Sequence, residues 1–136
     1  MLVLDASVIV ELLLQTPLGE AVATELGRRV DTWHAPTLLD IEVLQTLGRL
    51  ERSRAVPPRQ IALAMERFRE MPIGKHPHEP FFDRIWRLRP NLTAYDACYV
   101  ALAEALRAPL LTADERLGQA ILKAKARVPV VQIRAT

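Results

Sequence analysis

TAYDACYVALAEALRAPLLTADERL, residues 93–117, holds a helix, a strand and the start of a second helix in one run. Thr93 is placed to cap a helix that continues to Leu106, and Pro109 forbids its extension. PLLTA then reads as a short, fully apolar strand. Thr112 and Glu115 repeat the cap pattern for a helix that includes RLGQAILKAKA. Two acids stand at the leading edges of these elements. Asp96 shares a helical stripe with Tyr99, Val100 and Ala103, and Asp114 follows the strand.

The same alternation extends outward in both directions. LVL (2–4) predicts a buried strand ending at Asp5, followed at once by a helix from SVIVELLL with Ser7 as its cap. Pro17 suits the first turn of a second helix, and TWHA a short strand. Residues 37–52 form an amphipathic helix with Leu39, Val43, Leu47 and Leu50 on one stripe, and with Thr37 and Asp40 as a capping pair. A helix over 58–71 follows, then a proline-rich loop with one short edge strand, then a short helix in FFDRIWRLR. VPVVQI supplies a last strand. Strands alternating with helices predict an α/β fold, a three-layer α/β/α sandwich around a mostly parallel central sheet. The expected organisation is a single domain spanning 1–136.

Half of the 136 residues are apolar and a quarter are charged, as in a globular chain. A domain of this size buries roughly 70% of its unfolded surface and needs no disulfide or structural metal. The single cysteine, Cys98, fits a reducing compartment. MLVLDAS lacks a basic region and a signal-like apolar stretch, and no apolar run is long enough for a bilayer, so a cytoplasmic chain without membrane contact is expected. A net charge of +2 is too small to argue for nucleic acid unaided.

In open parallel sheets, ligands bind beyond the carboxyl ends of the strands. Asp5 and Asp114 both fall there, on one edge. Either alone is explained by the preference for acids at helix starts. Asp96 instead faces an apolar stripe, and Glu42 lies in the second turn of its helix, beyond strong capping reach. Carboxylates converging without cations repel one another, and only Arg116 lies beside any of the four. A hard divalent cation resolves that conflict, and an all-oxygen shell suits Mg²⁺ or Mn²⁺ rather than zinc.

VLDASVIVELL, APTLLDIEVLQTLGRL and LTAYDACYVALAEALRAPLLTADERL together resemble the PIN-domain ribonucleases, in particular the VapC-type toxins of toxin–antitoxin modules. The resemblance covers essentially the whole chain in family order. It implies that Asp5, Glu42, Asp96 and Asp114 are the catalytic acids, that Asp5 and Asp96 hold the metal, and that Ser7 and Thr112 steady the carboxylates. It further implies Mg²⁺- or Mn²⁺-dependent endonucleolytic cleavage of RNA, a homodimer, and inhibition by a cognate antitoxin. Residues 53–92 carry no such correspondence, so the RNA target does not transfer.

Other residues read as structural. His76 and His78 lie between prolines with no third ligand in reach, and His34 and Cys98 are expected to be structural and core residues. Trp33, Trp86, Phe68, Phe81 and Phe82 are expected in the core or at a dimer contact. Lys75 and Arg116 are candidates for phosphate contacts, with a solvated surface role favoured. A phosphoacceptor signalling domain would need an acidic pair after the first strand and a late lysine. Ala6 and Ser7 follow Asp5, and VVQIRAT offers no lysine. A catalytically silent PIN-like binding module is the remaining alternative.

Overall fold

The computed structural model describes residues 1–135; Thr136, at the end of the expected domain, lies outside the described residues. In chain order the elements are β1 (Leu2–Leu4), α1 (Ala6–Leu14), α2 (Pro17–Gly27), β2 (Trp33–Pro36), α3 (Leu38–Arg52), α4 (Pro58–Glu70) and β3 (Ile73–His76). A single 3₁₀ turn (Glu79–Phe81) leads to α5 (Phe82–Arg87), α6 (Ala94–Leu106), β4 (Leu110–Thr112), α7 (Glu115–Lys123) and β5 (Val130–Gln132).

The five strands form one sheet in the order β3-β2-β1-β4-β5, and every neighbouring pair is parallel. From β1 the chain steps outward to β2 and β3, then returns across the sheet to β4 and β5. Right-handed crossovers therefore place α1–α4 on one face and α5–α7 on the other. The packing agrees, with α1 against α2, α3 and α4, and α5 against α6. The direction of winding reverses between β1 and β4, and the crevice beyond their carboxyl ends is where such sheets bind ligands.

Both central strands, β1 and β4, are buried at every residue, which is why they read as unbroken apolar runs rather than alternating ones. The core also takes seven consecutive residues of α6, Ala97 to Ala103. Among the described residues no single helix is long and apolar enough to cross a membrane, and the apolar pair α1 and α2 is bent by 108°. The corner depends on a close approach: a Cβ at Gly19 would lie 2.1 Å from the Glu11 carbonyl oxygen.

Three expected caps are formed differently. Asp5, not Ser7, caps α1, its carboxylate accepting from the Ser7 N–H. Asp114, not Thr112, caps α7 by accepting from the Arg116 N–H at 2.9 Å. Thr37 is in the helical region and makes no side-chain cap bond. His78 Nε2 accepts from the Leu38 N–H at 3.1 Å instead, and Asp40 pairs with Lys75 at 2.7 Å. In each case a residue nearer to or farther from the helix start reaches the free amides first, a choice that sequence spacing leaves open.

Candidate functional site

Asp5 leaves the end of β1 at the centre of the sheet. Pairing of Val3 with Leu110 and Leu4 with Leu111 sets Asp5 level with Thr112. The Asp5 N–H donates to the Leu111 carbonyl at 3.2 Å. Its side chain is only 5% exposed. One carboxylate oxygen accepts from the Ser7 N–H and the other from the Thr112 hydroxyl, so the buried charge is fixed in direction as well as compensated.

The Thr112 hydroxyl also accepts the Asp114 N–H at 3.0 Å. The Ser7 hydroxyl accepts the Ala113 N–H at 3.0 Å and lies 3.4 Å from Thr112 Oγ1. Two small hydroxyl residues, far apart in sequence, thereby tie the start of α1 to the start of α7. Thr112 is fully buried; its place is in this network.

Glu42, in the second turn of α3, is half-buried, and its Oε1 accepts from the Tyr99 hydroxyl at 2.6 Å. Asp96 lies in the first turn of α6, whose N–H is capped by Thr93 Oγ1 at 3.1 Å. Parallel crossovers bring helix N-termini to the carboxyl edge of the sheet, so all four acids stand at or near helix starts. The dipoles there favour negative charge, but at Asp5, Glu42 and Asp96 burial and crowding outweigh them.

Burial pushes the Asp5 carboxyl up, Ser7 and Thr112 pull it back by hydrogen bonding, and Asp114 raises it. Burial also raises Glu42; Tyr99 opposes this, while Asp5 and Asp96 add to it. Asp96 is raised by burial and by Asp114, with Thr93 and Arg116 acting the other way. The charges thus run in a ring: Asp5 with Asp114, Asp114 with Asp96, Asp96 with Glu42, Glu42 with Asp5. Arg116 is the cation at its rim, 3.6 Å from Asp114.

The four side chains offer only oxygen atoms, the donor type that hard divalent cations prefer. Among the described residues no three acidic, imidazole or thiol side chains close into a ready-made cage.

The remaining sequence readings divide. Cys98 is buried, and burial with Glu42 and Asp96 nearby pushes its thiol up to about 12, so it is no nucleophile. His34 Nδ1 bonds His76 Nε2 at 2.9 Å, joining β2 to the edge strand β3. Trp33, Phe68 and Phe81 pack against the core. Phe82 and Trp86 do not: they are 60% and 64% exposed, and Arg89 stacks on Trp86 at 4.2 Å. With Leu38, Tyr95 and Cys98 they line a cavity of about 580 Å³ beside the first turn of α6. Tyr99 as the partner of Glu42 was missed; its place on the Asp96 stripe was the available signal.

The PIN-domain family model matches residues 2–121. The chain belongs to the PIN-domain family. Ribonuclease VapC12 of Mycobacterium tuberculosis is 41% identical to this PIN domain over 119 residues, 88% of this chain and 91% of that protein. Ribonuclease VapC3 of the same organism is 40% identical over 119 residues, 87% of this chain and 85% of its own. The crystal structure of PAE2754 from Pyrobaculum aerophilum superposes with a TM-score of 0.60, covering 95% of this chain and 81% of that one. At 18% identity, that likeness concerns the fold.

Proposed function

We propose that this PIN domain is the toxin of a toxin–antitoxin module, an endoribonuclease that hydrolyses RNA phosphodiester bonds with Mg²⁺ or Mn²⁺. The observation that carries the reading is the ring of four acids at the β1/β4 switch point, in a chain whose relatives are named ribonucleases. Asp5 and Asp96 would hold the cation, which when bound supplies an acidified water and neutralises charge on the phosphate.

The chain's own residues account for the rest. Ser7 and Thr112 hold the Asp5 carboxylate in one orientation. Glu42, its proton affinity raised and its Oε1 held by Tyr99, suits the role of accepting a proton from the attacking water. Asp114 completes the acidic ring and orients water. The toxin would act in the cytoplasm as a homodimer, silenced by its antitoxin. Exposed Ile41, Leu44, Phe82, Trp86 and Tyr95 supply apolar surface of the kind that lasting partners cover.

Sequencing RNA 5′ ends after brief expression in cells tests this directly. New ends at defined sites are expected with the wild-type chain and not with Asp5→Asn. An identical pattern of ends from both proteins contradicts the assignment of Asp5, and no new ends from either favours a silent binding module.

A further inference from the structure

Arg116 occupies a position that neither its helix nor the core explains. It lies in the first turn of α7, where the amide ends carry partial positive charge and a cation is disfavoured. Its side chain is 93% exposed, and its one ion pair among the described residues, with Asp114, is a loose 3.6 Å; exposed pairs of that kind contribute little to stability. The neighbouring Glu115 pairs with Arg134 at 3.3 Å, and Arg116 turns to Asp114. Its charge reaches Asp96 as well as Asp114.

Two other cations make the comparison. Lys75 is held by Asp40 at 2.7 Å. Arg49 borders the hollow that contains Glu42, but it sits in the last turn of α3, where the helix dipole favours positive charge. Arg116 alone of these three is unfavourable where it stands and free to move.

A ring of carboxylates repels an approaching phosphodiester, and a guanidinium offers a fork of donors matched to phosphate oxygens. We propose that Arg116 is a substrate-positioning residue whose guanidinium binds a phosphate of the RNA strand on the Asp114 side of the acid ring. The proposal rests on the ribonuclease reading above. Arg116 exchanges its loose contact with Asp114 for the phosphate as the strand arrives, and so sets which phosphodiester lies over the acids.

The test is steady-state cleavage of a short single-stranded RNA by wild-type, Arg116→Lys and Arg116→Ala proteins at fixed Mg²⁺ over a range of salt. Melting temperature and Mn²⁺ affinity are measured on each. Arg116→Ala is expected to weaken kcat/KM roughly tenfold, mainly through KM. It should also flatten the dependence of log(kcat/KM) on log salt by about 0.7, one phosphate contact on a single strand. Arg116→Lys should restore the salt dependence, all three proteins should melt alike, and Arg116→Ala should bind Mn²⁺ no less tightly than wild type. An unchanged KM and salt dependence in Arg116→Ala overturns the proposal, as does a fall in Mn²⁺ affinity that matches the loss of cleavage. A wild-type protein that neither binds nor cuts RNA overturns the ribonuclease reading and this one with it; wild-type cleavage beside an unaffected Arg116→Ala overturns only the role of Arg116.

Discussion

Replacing Thr112 by valine removes one hydroxyl and leaves the shape of a fully buried side chain unchanged. Two strong hydrogen bonds go with it, besides the long 3.4 Å contact with the Ser7 hydroxyl. The hydroxyl no longer donates to Asp5 Oδ2, a bond to a buried charged acceptor worth about 1.5–3 kcal/mol, and the Asp114 N–H loses an acceptor 3.0 Å away, worth about 0.5–1.5 kcal/mol. Thr112→Val should therefore cost about 2–4 kcal/mol at neutral pH. Thr112→Ser keeps both bonds and should cost only about 1 kcal/mol for the lost methyl group.

The cost of valine should also depend on pH. The Asp5 carboxyl is raised above its ordinary 3.8, so the folded protein holds that proton more tightly than the unfolded chain does. Its contribution to stability is complete below the unfolded value and is lost as pH rises through the folded one. The Thr112 bond limits that rise. Valine removes the limit, and the added loss falls on the alkaline side. Urea unfolding in EDTA at about pH 4 and about pH 8 should give a larger difference between wild type and Thr112→Val at the higher pH. Equal costs for serine and valine, or a cost that does not change with pH, would refute the reasoning.

Tyr99→Phe frees the half-buried Glu42 carboxylate and should cost about 1–2 kcal/mol in thermal unfolding. If Tyr99 acts through Glu42, combining it with Glu42→Gln should slow cleavage no further than Glu42→Gln alone; additive losses would contradict that link. Because Asp5, Glu42 and Asp96 are all raised, melting temperature in EDTA should fall as pH climbs through and above the carboxylate range. Added Mn²⁺ should recover it at neutral pH, and a flat profile with no effect of Mn²⁺ would count against a shared acidic site. Cys98, buried with its thiol pushed up to about 12, should resist iodoacetamide in the folded protein, and Cys98→Ala should still cleave RNA; rapid labelling or loss of cleavage would contradict a purely structural thiol.

The central architecture was legible in the sequence because burial leaves a strong trace. LVL and LLT, buried on both faces of the sheet, read as unbroken apolar strands, and the stripe of Leu39, Val43 and Leu47 marked the buried face of α3. Asp5, Glu42, Asp96 and Asp114 stood out because each sat where an ordinary cap or surface acid was an incomplete explanation. Cap partners were less legible. Ser7, Thr37 and Thr112 had the right spacing, but the amides were taken by Asp5, His78 and Asp114, a competition decided by backbone angles and by a histidine from a distant loop. Tyr99 belongs to the same class, since its bond to Glu42 joins residues on separate helices. Phe82 and Trp86 were misplaced in the core alternative because aromatic residues in a short helix say nothing of which face is covered.

The central claim is that the four acids act together as a cation site that cuts RNA. Its most direct test is Mg²⁺-dependent cleavage by purified, antitoxin-free protein, comparing wild type with Asp96→Asn under conditions where both are folded. Wild type should cut, EDTA should stop it, and Asp96→Asn should lose cleavage while keeping its circular dichroism. Undiminished cleavage by Asp96→Asn, or cleavage indifferent to EDTA, would contradict the account.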